Sequence, residues 1–298
     1  MKRIFSVFFF LAGPLAAAPL KIVTTTPDLA DLARNVGGDR VSVVCLSRGI
    51  QDPHFVEAKP SLILKLREAD LYIQTGLDLE AGWAPLLLQG ARRPQLQPGG
   101  TGFLDASRFI KPLEIPSDVS RAGGDVHPGG NPHYLGDPRN AIVVAAGIAG
   151  QLAALDPAGK PTYDANARAT GERLRLKITE WEKRLAPARG ARYVSYHRNL
   201  VYFADWAGLS SVGEIEPKPG IPPSPRHTAE LIGLMKEHKV PLILTMPYYE
   251  KRSPESLAAA TGARVVVMAL MPDGLSSGDD YLSAMERNVG AILAAVSR

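Results

Sequence analysis

Residues 163–187 read YDANARATGERLRLKITEWEKRLAP, from Tyr163 to Pro187. The stretch carries no strand signal and is rich in good helix formers. Leu174, Ile178, Trp181 and Leu185 recur every three or four residues and give it one apolar face. One helix of about 25 residues is expected, about 38 Å long at the standard rise. On either side of it, short β-rich runs alternate with helical patterns, the signature of parallel α/β units. The strands before it are KIVTTT, VSVVCL, LYIQTG and TGFLDAS, and the helices are PDLADLARNVGG, PSLILKLREA, LEAGWAPLLLQGA and PRNAIVVAAGIAGQLAAL. After it come the strands ARYVSYH, VGEI, PLILTM and RVVVMA, with helices NLVYFADWAGL, SPRHTAELIGLMKEHK, PESLAAATG and DDYLSAMERNVGAILAAV.

The chain is therefore expected to form two four-stranded parallel α/β lobes joined by one long rigid helix. The divisions are a leader over 1–18, an N-terminal lobe over 19–158, the connecting helix over 159–187 and a C-terminal lobe over 188–298. A chain of 298 residues exceeds the usual single core, which fits two lobes. A helical connection acts as a stiff strut, where a Gly/Ser linker would act as a hinge.

The leader reading rests on Lys2 and Arg3, the apolar run IFSVFFFLAG and the small residues Ala16, Ala17 and Ala18. That order is a secretory signal peptide, with an apolar core too short to span a membrane comfortably. Cleavage is expected near Ala18, and no later apolar run reads as a membrane span, so a soluble exported chain is expected. No cysteine lies in the leader, so no lipid-accepting cysteine is expected. The single cysteine, Cys45, sits in VSVVCL, reads as a small core residue and excludes an intramolecular disulfide. Losing Lys2 and Arg3 lowers the formal charge from +4 by two. A surface so nearly balanced argues against nucleic acid as partner.

The six histidines carry the chemistry. His54, in QDPHFVEAKPS, is held on a stiff loop between Pro53 and a helix start at Pro60. Alone it could be a surface residue, a core residue or a metal ligand. His133, in NPHYLGDP, follows the fourth strand and a long loop, and His197, in VSYHRNL, ends the first strand of the second lobe. All three lie beyond the carboxyl ends of parallel strands, where open α/β sheets bind ligands. Two come from one lobe and one from the other, so they can converge only between lobes. Three imidazoles make most of a tetrahedral zinc site. His127, in the Gly- and Pro-rich loop KPLEIPSDVSRAGGDVHPGGN, reads as a solvated residue or a metal donor. His227 sits near a helix start and His238 near a helix end, where a cation suits the dipole.

The ordered stretches DPHFVEAKPSLILKLREADLYIQTGLDLE, NPHYLGDPRNA and VSYHRNLVYFADWAGL resemble the cluster A-I substrate-binding proteins of metal-ion ABC transporters, the periplasmic zinc and manganese binders and their adhesin-like relatives. The resemblance runs over essentially the whole mature chain. It implies two four-stranded α/β lobes on a long helix, metal ligands at His54, His133 and His197, a membrane ABC permease as partner, a monomer, and a periplasmic location. It also implies a carboxylate after the last strand of the second lobe. Here that stretch reads VVVMALMPDGLSSGDD, with Ala269 and Leu270 near the expected place, and Met246 stands where relatives often have Glu. Asp273 is the nearest carboxylate and is taken as the fourth ligand, with Asp279, Asp280, His127 or a water as other ways to fill the shell.

The expectation is thus a non-enzymatic solute-binding protein with zinc as cargo, or manganese or iron in its place. A zinc hydrolase is the competing class, because three histidines and an open position also make a catalytic site. Against it, the chain has no HExxH helix and no general base beside the ligands.

Overall fold

A computed structural model describes residues 18–117, 127–218 and 220–297. Apart from Ala18, the leader lies outside the described residues, as does part of the long loop before His133. The first sheet holds β1 (Leu20–Thr24), β2 (Val41–Cys45), β3 (Leu71–Gln74) and β4 (Phe103–Asp105), in the order β2-β1-β3-β4. The second holds β5 (Arg192–Ser195), β6 (Ser210–Glu214), β7 (Leu242–Thr245) and β8 (Arg264–Val267), in the order β6-β5-β7-β8. Every strand pairing within these two sheets is parallel. The two lobes repeat one topology, and each sheet reverses strand order beside its central strand, β1 or β5, where ligands gather.

The helices are α1 (Pro27–Gly37), α2 (Pro60–Arg67), α3 (Ala84–Ala91), α4 (Pro138–Leu155), α5 (Lys160–Leu185), α6 (Val201–Ala207), α7 (Pro225–Glu237), α8 (Arg252–Thr261) and α9 (Tyr281–Val296). Several open with proline in the first turn, where its missing N–H costs nothing. α3 is shorter than its sequence pattern suggested. Leu77 and Asp78 adopt left-handed backbone, with φ of 52° and 62°, and turns occupy the chain up to Trp83.

The connecting helix is α5, 26 residues and about 39 Å long. It buries Leu174, Ile178, Trp181 and Leu185, the face its periodicity marked. Its first turn is fixed by Tyr163, whose hydroxyl donates to Asp156 Oδ2 at 2.7 Å beside the Arg40–Asp156 ion pair. Near its far end Trp181 Nε1 donates to Glu286 of α9 at 2.8 Å. One buried cluster runs through both lobes, from Leu29 and Ala145 through Trp181 to Phe203, Leu242 and Val289. Smaller clusters fill the outer face of each sheet, around Tyr72 and Trp83 in one and Ile243 and Leu231 in the other.

α4 has the length and apolar composition of a membrane span, contrary to the sequence expectation that no later run does. Its buried residues Ala141, Val144, Ala145, Ile148 and Leu152 belong to the shared core, which explains the composition.

The lobes also meet through loops. A Cβ placed on Gly49, in the loop after β2, would lie 1.9 Å from the carbonyl oxygen of Pro272, in the loop after β8. Only glycine permits that approach.

Candidate metal centre

The Asx-Pro-His sequence occurs twice, at Asp52-Pro53-His54 and Asn131-Pro132-His133, and folds the same way each time. Asp52 Oδ1 accepts from the His54 backbone N–H at 3.0 Å and lies 2.7 Å from its ring Nδ1. Asn131 Oδ1 accepts from the His133 N–H at 3.0 Å and lies 2.9 Å from its Nδ1. Proline fixes the middle of the turn, and the Asx oxygen fixes the ring beyond it. In the second lobe a different residue does this work: Glu216, just after β6, places Oε2 2.9 Å from His197 Nδ1.

A carboxylate or amide oxygen can only accept, so each Nδ1 carries a proton, and in the neutral ring Nε2 then holds the lone pair. The Nε2 of His133 is buried with no hydrogen-bond partner among the described residues. Donor atoms of His54, His133 and His197 all lie within 4.8 Å of one another. The ring centroids stand 5.2 Å apart for His54–His133, 5.4 Å for His54–His197 and 5.6 Å for His133–His197. This is the arrangement in which second partners orient ligand imidazoles around an ion.

Burial pushes the His133 imidazole well below its ordinary pKa of 6.5, and the neighbouring His54, His197 and His127 push the same way. Burial raises Asp52, but the hydrogen bonds from the His54 ring and backbone, with the electrostatic pull of the nearby imidazoles, outweigh it and hold the carboxyl below its usual range. Deeper in the first lobe, burial lifts Glu80 to about 7 against hydrogen bonds from Thr25 and the backbone of Thr75 and Gly76.

His127 joins this group at its edge, with Nε2 3.3 Å from His54 Nε2. The aspartates proposed from the sequence do not. Asp273 is exposed in left-handed backbone, φ 60°, and its Oδ1 accepts from Gly278 N at 2.6 Å. It lines a separate cleft with Arg34, Cys45 and Arg48. Asp279 pairs with Arg287, and Asp280 caps α9 through Ser283 N at 2.8 Å. Ala269 and Leu270 are buried, and Leu270 lines a small cavity beside His133 with Tyr248 and Met271. Elsewhere, His227 Nε2 bonds the Glu214 carbonyl oxygen at 2.9 Å, and His238 ends α7.

The orienting residues were missed by sequence reasoning. Asp52 and Asn131 had a visible signal in the repeated Asx-Pro-His; Glu216 had none, being paired through the adjacency of β5 and β6.

Residues 22–295 match the family described as ZnuA, zinc-uptake complex component A, periplasmic. The manganese ABC transporter substrate-binding lipoprotein PsaA of Streptococcus pneumoniae is 26% identical over 92% of this chain and 87% of its own length. The zinc-binding lipoprotein AdcA of S. pneumoniae serotype 4 is 27% identical over 93% of this chain, which spans 56% of that longer protein. A crystal structure of ZnuA superposes with a TM-score of 0.78 at 27% identity, covering 93% of this chain and 99% of that one.

Proposed function

Because the chain belongs to the periplasmic zinc-uptake component A family, whose members are substrate-binding proteins of metal ABC importers and not enzymes, we propose that its cargo is Zn²⁺ held by Nε2 of His54, His133 and His197. The single observation that carries this is that donor atoms of the three rings lie within 4.8 Å of one another while each ring has its Nδ1 against an oxygen partner, which leaves Nε2 to face an ion. A donor set of neutral imidazoles suits zinc, whereas manganese favours carboxylate, carbonyl and water oxygens. Among the described residues no carboxylate joins the cluster, although manganese is named for several relatives.

The fourth donor in this reading is His127. Zinc–nitrogen bonds of about 2.0–2.1 Å in a tetrahedron set neighbouring donors about 3.3–3.4 Å apart. The 3.3 Å between the Nε2 atoms of His54 and His127 matches that one edge, while only His54, His133 and His197 have donor atoms all within 4.8 Å of one another, so in this reading His127 closes further onto the ion. His127 thus takes the place that the sequence assigned to Asp273.

The protein works as a periplasmic monomer that hands its ion to a membrane ABC permease. Relatives are named lipoproteins; here the single cysteine is Cys45, at the end of β2. The N-terminal lobe of 19–158 and C-terminal lobe of 188–298 are taken as the two halves of the site.

Elemental analysis of freshly purified protein, followed by titration against a chelating dye, tests the reading. One equivalent of zinc with dye-competing affinity is expected. Manganese bound in preference to zinc under equal supply would overturn it.

A further inference from the structure

Asn131 uses its whole hydrogen-bonding capacity in one orientation. Its Oδ1 takes the two bonds from His133, and its Nδ2 donates to Glu114 Oε2 at 3.1 Å and to the Arg198 carbonyl oxygen at 2.7 Å. Turned over, the amide would set oxygen against a carboxylate and a carbonyl, and NH₂ against the His133 N–H. The acceptors on one side therefore decide what His133 meets on the other. They also explain a difference between the two Asx-Pro-His turns. Position 52 is Asp, whereas position 131 stands between His133 and two acceptors and needs a donor as well.

Glu114 is held firmly for this task. Its carboxylate pairs with Arg198, the neighbour of His197, so the contact crosses between lobes. The stem of its loop is closed by Asn131 N donating to Leu113 O at 2.8 Å and by Tyr202, which accepts from Leu113 N at 2.8 Å and donates to Asn131 O at 3.0 Å. Glu114 itself sits at φ 55°, a left-handed conformation that is strained for a non-glycine residue.

We infer that Glu114 is a positioning residue for metal capture: by holding the Asn131 amide in one orientation, it fixes the His133 proton on Nδ1 and leaves Nε2 free for the ion. The inference rests on His133 being a ligand, as proposed above.

The test is a double-substitution cycle with zinc titration, joined to ¹⁵N spectra of the His133 ring in metal-free protein. Asn131→Asp turns the donor into an acceptor facing two acceptors, and zinc binding is expected to weaken at least about tenfold, the usual cost of losing a ligand's orienting partner. Adding Glu114→Gln supplies an amide donor opposite the new carboxylate and is expected to restore most of the affinity. Wild-type spectra are expected to show the proton on Nδ1. Glu114→Leu is expected to give a mixture of tautomers, a readout available even if Asn131→Asp fails to fold. No rescue by Glu114→Gln in a folded Asn131→Asp protein, or an unmixed tautomer in Glu114→Leu, overturns the inference. Loss of the underlying reading shows separately, as zinc affinity unchanged in His133→Ala.

Discussion

The indole N–H of Trp83 donates to the carbonyl oxygen of Pro53 at 3.0 Å. Trp83 is buried in the outer core of the first lobe, so this bond ties the loop bearing His54 to a packed platform. Trp83→Phe keeps most of the ring and removes the donor. A stability loss of about 1 kcal/mol in urea denaturation is expected, together with a few-fold weakening of zinc binding as the His54 turn loosens. Unchanged zinc affinity in a variant of lowered stability would mean that the bond supports the fold and not the site.

His197 is the one histidine of the cluster that comes from the second lobe. Its replacement leaves an ion bound from one side only, so His197→Ala should be the most damaging single change. A loss beyond the roughly 10–100-fold typical of orienting partners is expected in dye competition. Glu216→Gln, which keeps an acceptor on the ring, should fall well short of that.

His127 and Asp273 are set apart by one comparison. His127→Ala should weaken zinc binding, because it removes the donor at a tetrahedral edge from His54. Asp273→Ala should leave affinity unchanged, because that carboxylate bonds Gly278 N in another cleft. The reverse ranking in titrations would return the fourth position to Asp273.

The depressed pKa of His133 gives the metal-free protein a pH signature. The unfolded chain binds a proton on this ring near 6.5, while the folded chain resists it. Below 6.5 the unfolded state therefore holds more protons, and stability falls as pH falls. One such group contributes a slope of at most about 1.4 kcal/mol per pH unit. Denaturation of metal-free protein between pH 7.5 and 5 should show the decline, and His133→Gln should flatten it. Equal slopes in the two proteins would show that His133 is not responsible.

Gly49 supplies a steric test that alters no histidine. Gly49→Ala places a methyl group 1.9 Å from the Pro272 carbonyl oxygen and must displace one loop. Overpacking of this kind costs about 1–3 kcal/mol. Since Gly49 shares its loop with His54, weaker zinc binding should accompany the stability loss.

Much of this arrangement was legible because it depends on local order. Periodicity marked the buried face of α5, and proline and glycine bounded the loops that carry His54 and His133. The alternation of strand and helix placed three histidines at the carboxyl edges of the sheets. What escaped depends on distant partners. His127 meets His54 across 73 positions of sequence and Glu114 meets Arg198 across 84. Asp273 looked right because it stands close in sequence to the expected carboxylate. Its left-handed backbone and its bond to Gly278 turn it elsewhere, and no spacing rule reveals that.

The buried cluster that passes from the first sheet through α5 to the second has a consequence for how the chain melts. Neither sheet keeps a complete core of its own, so unfolding one lobe strips apolar cover from the other. Two sheets of identical topology should therefore lose structure in one cooperative transition. Backbone amides of α1, α4, α5 and α9 should exchange with solvent only through that global event, while the histidine-bearing loops open far more often. Release of the ion is then a matter of fluctuations at the loops, on a scaffold that stays shut.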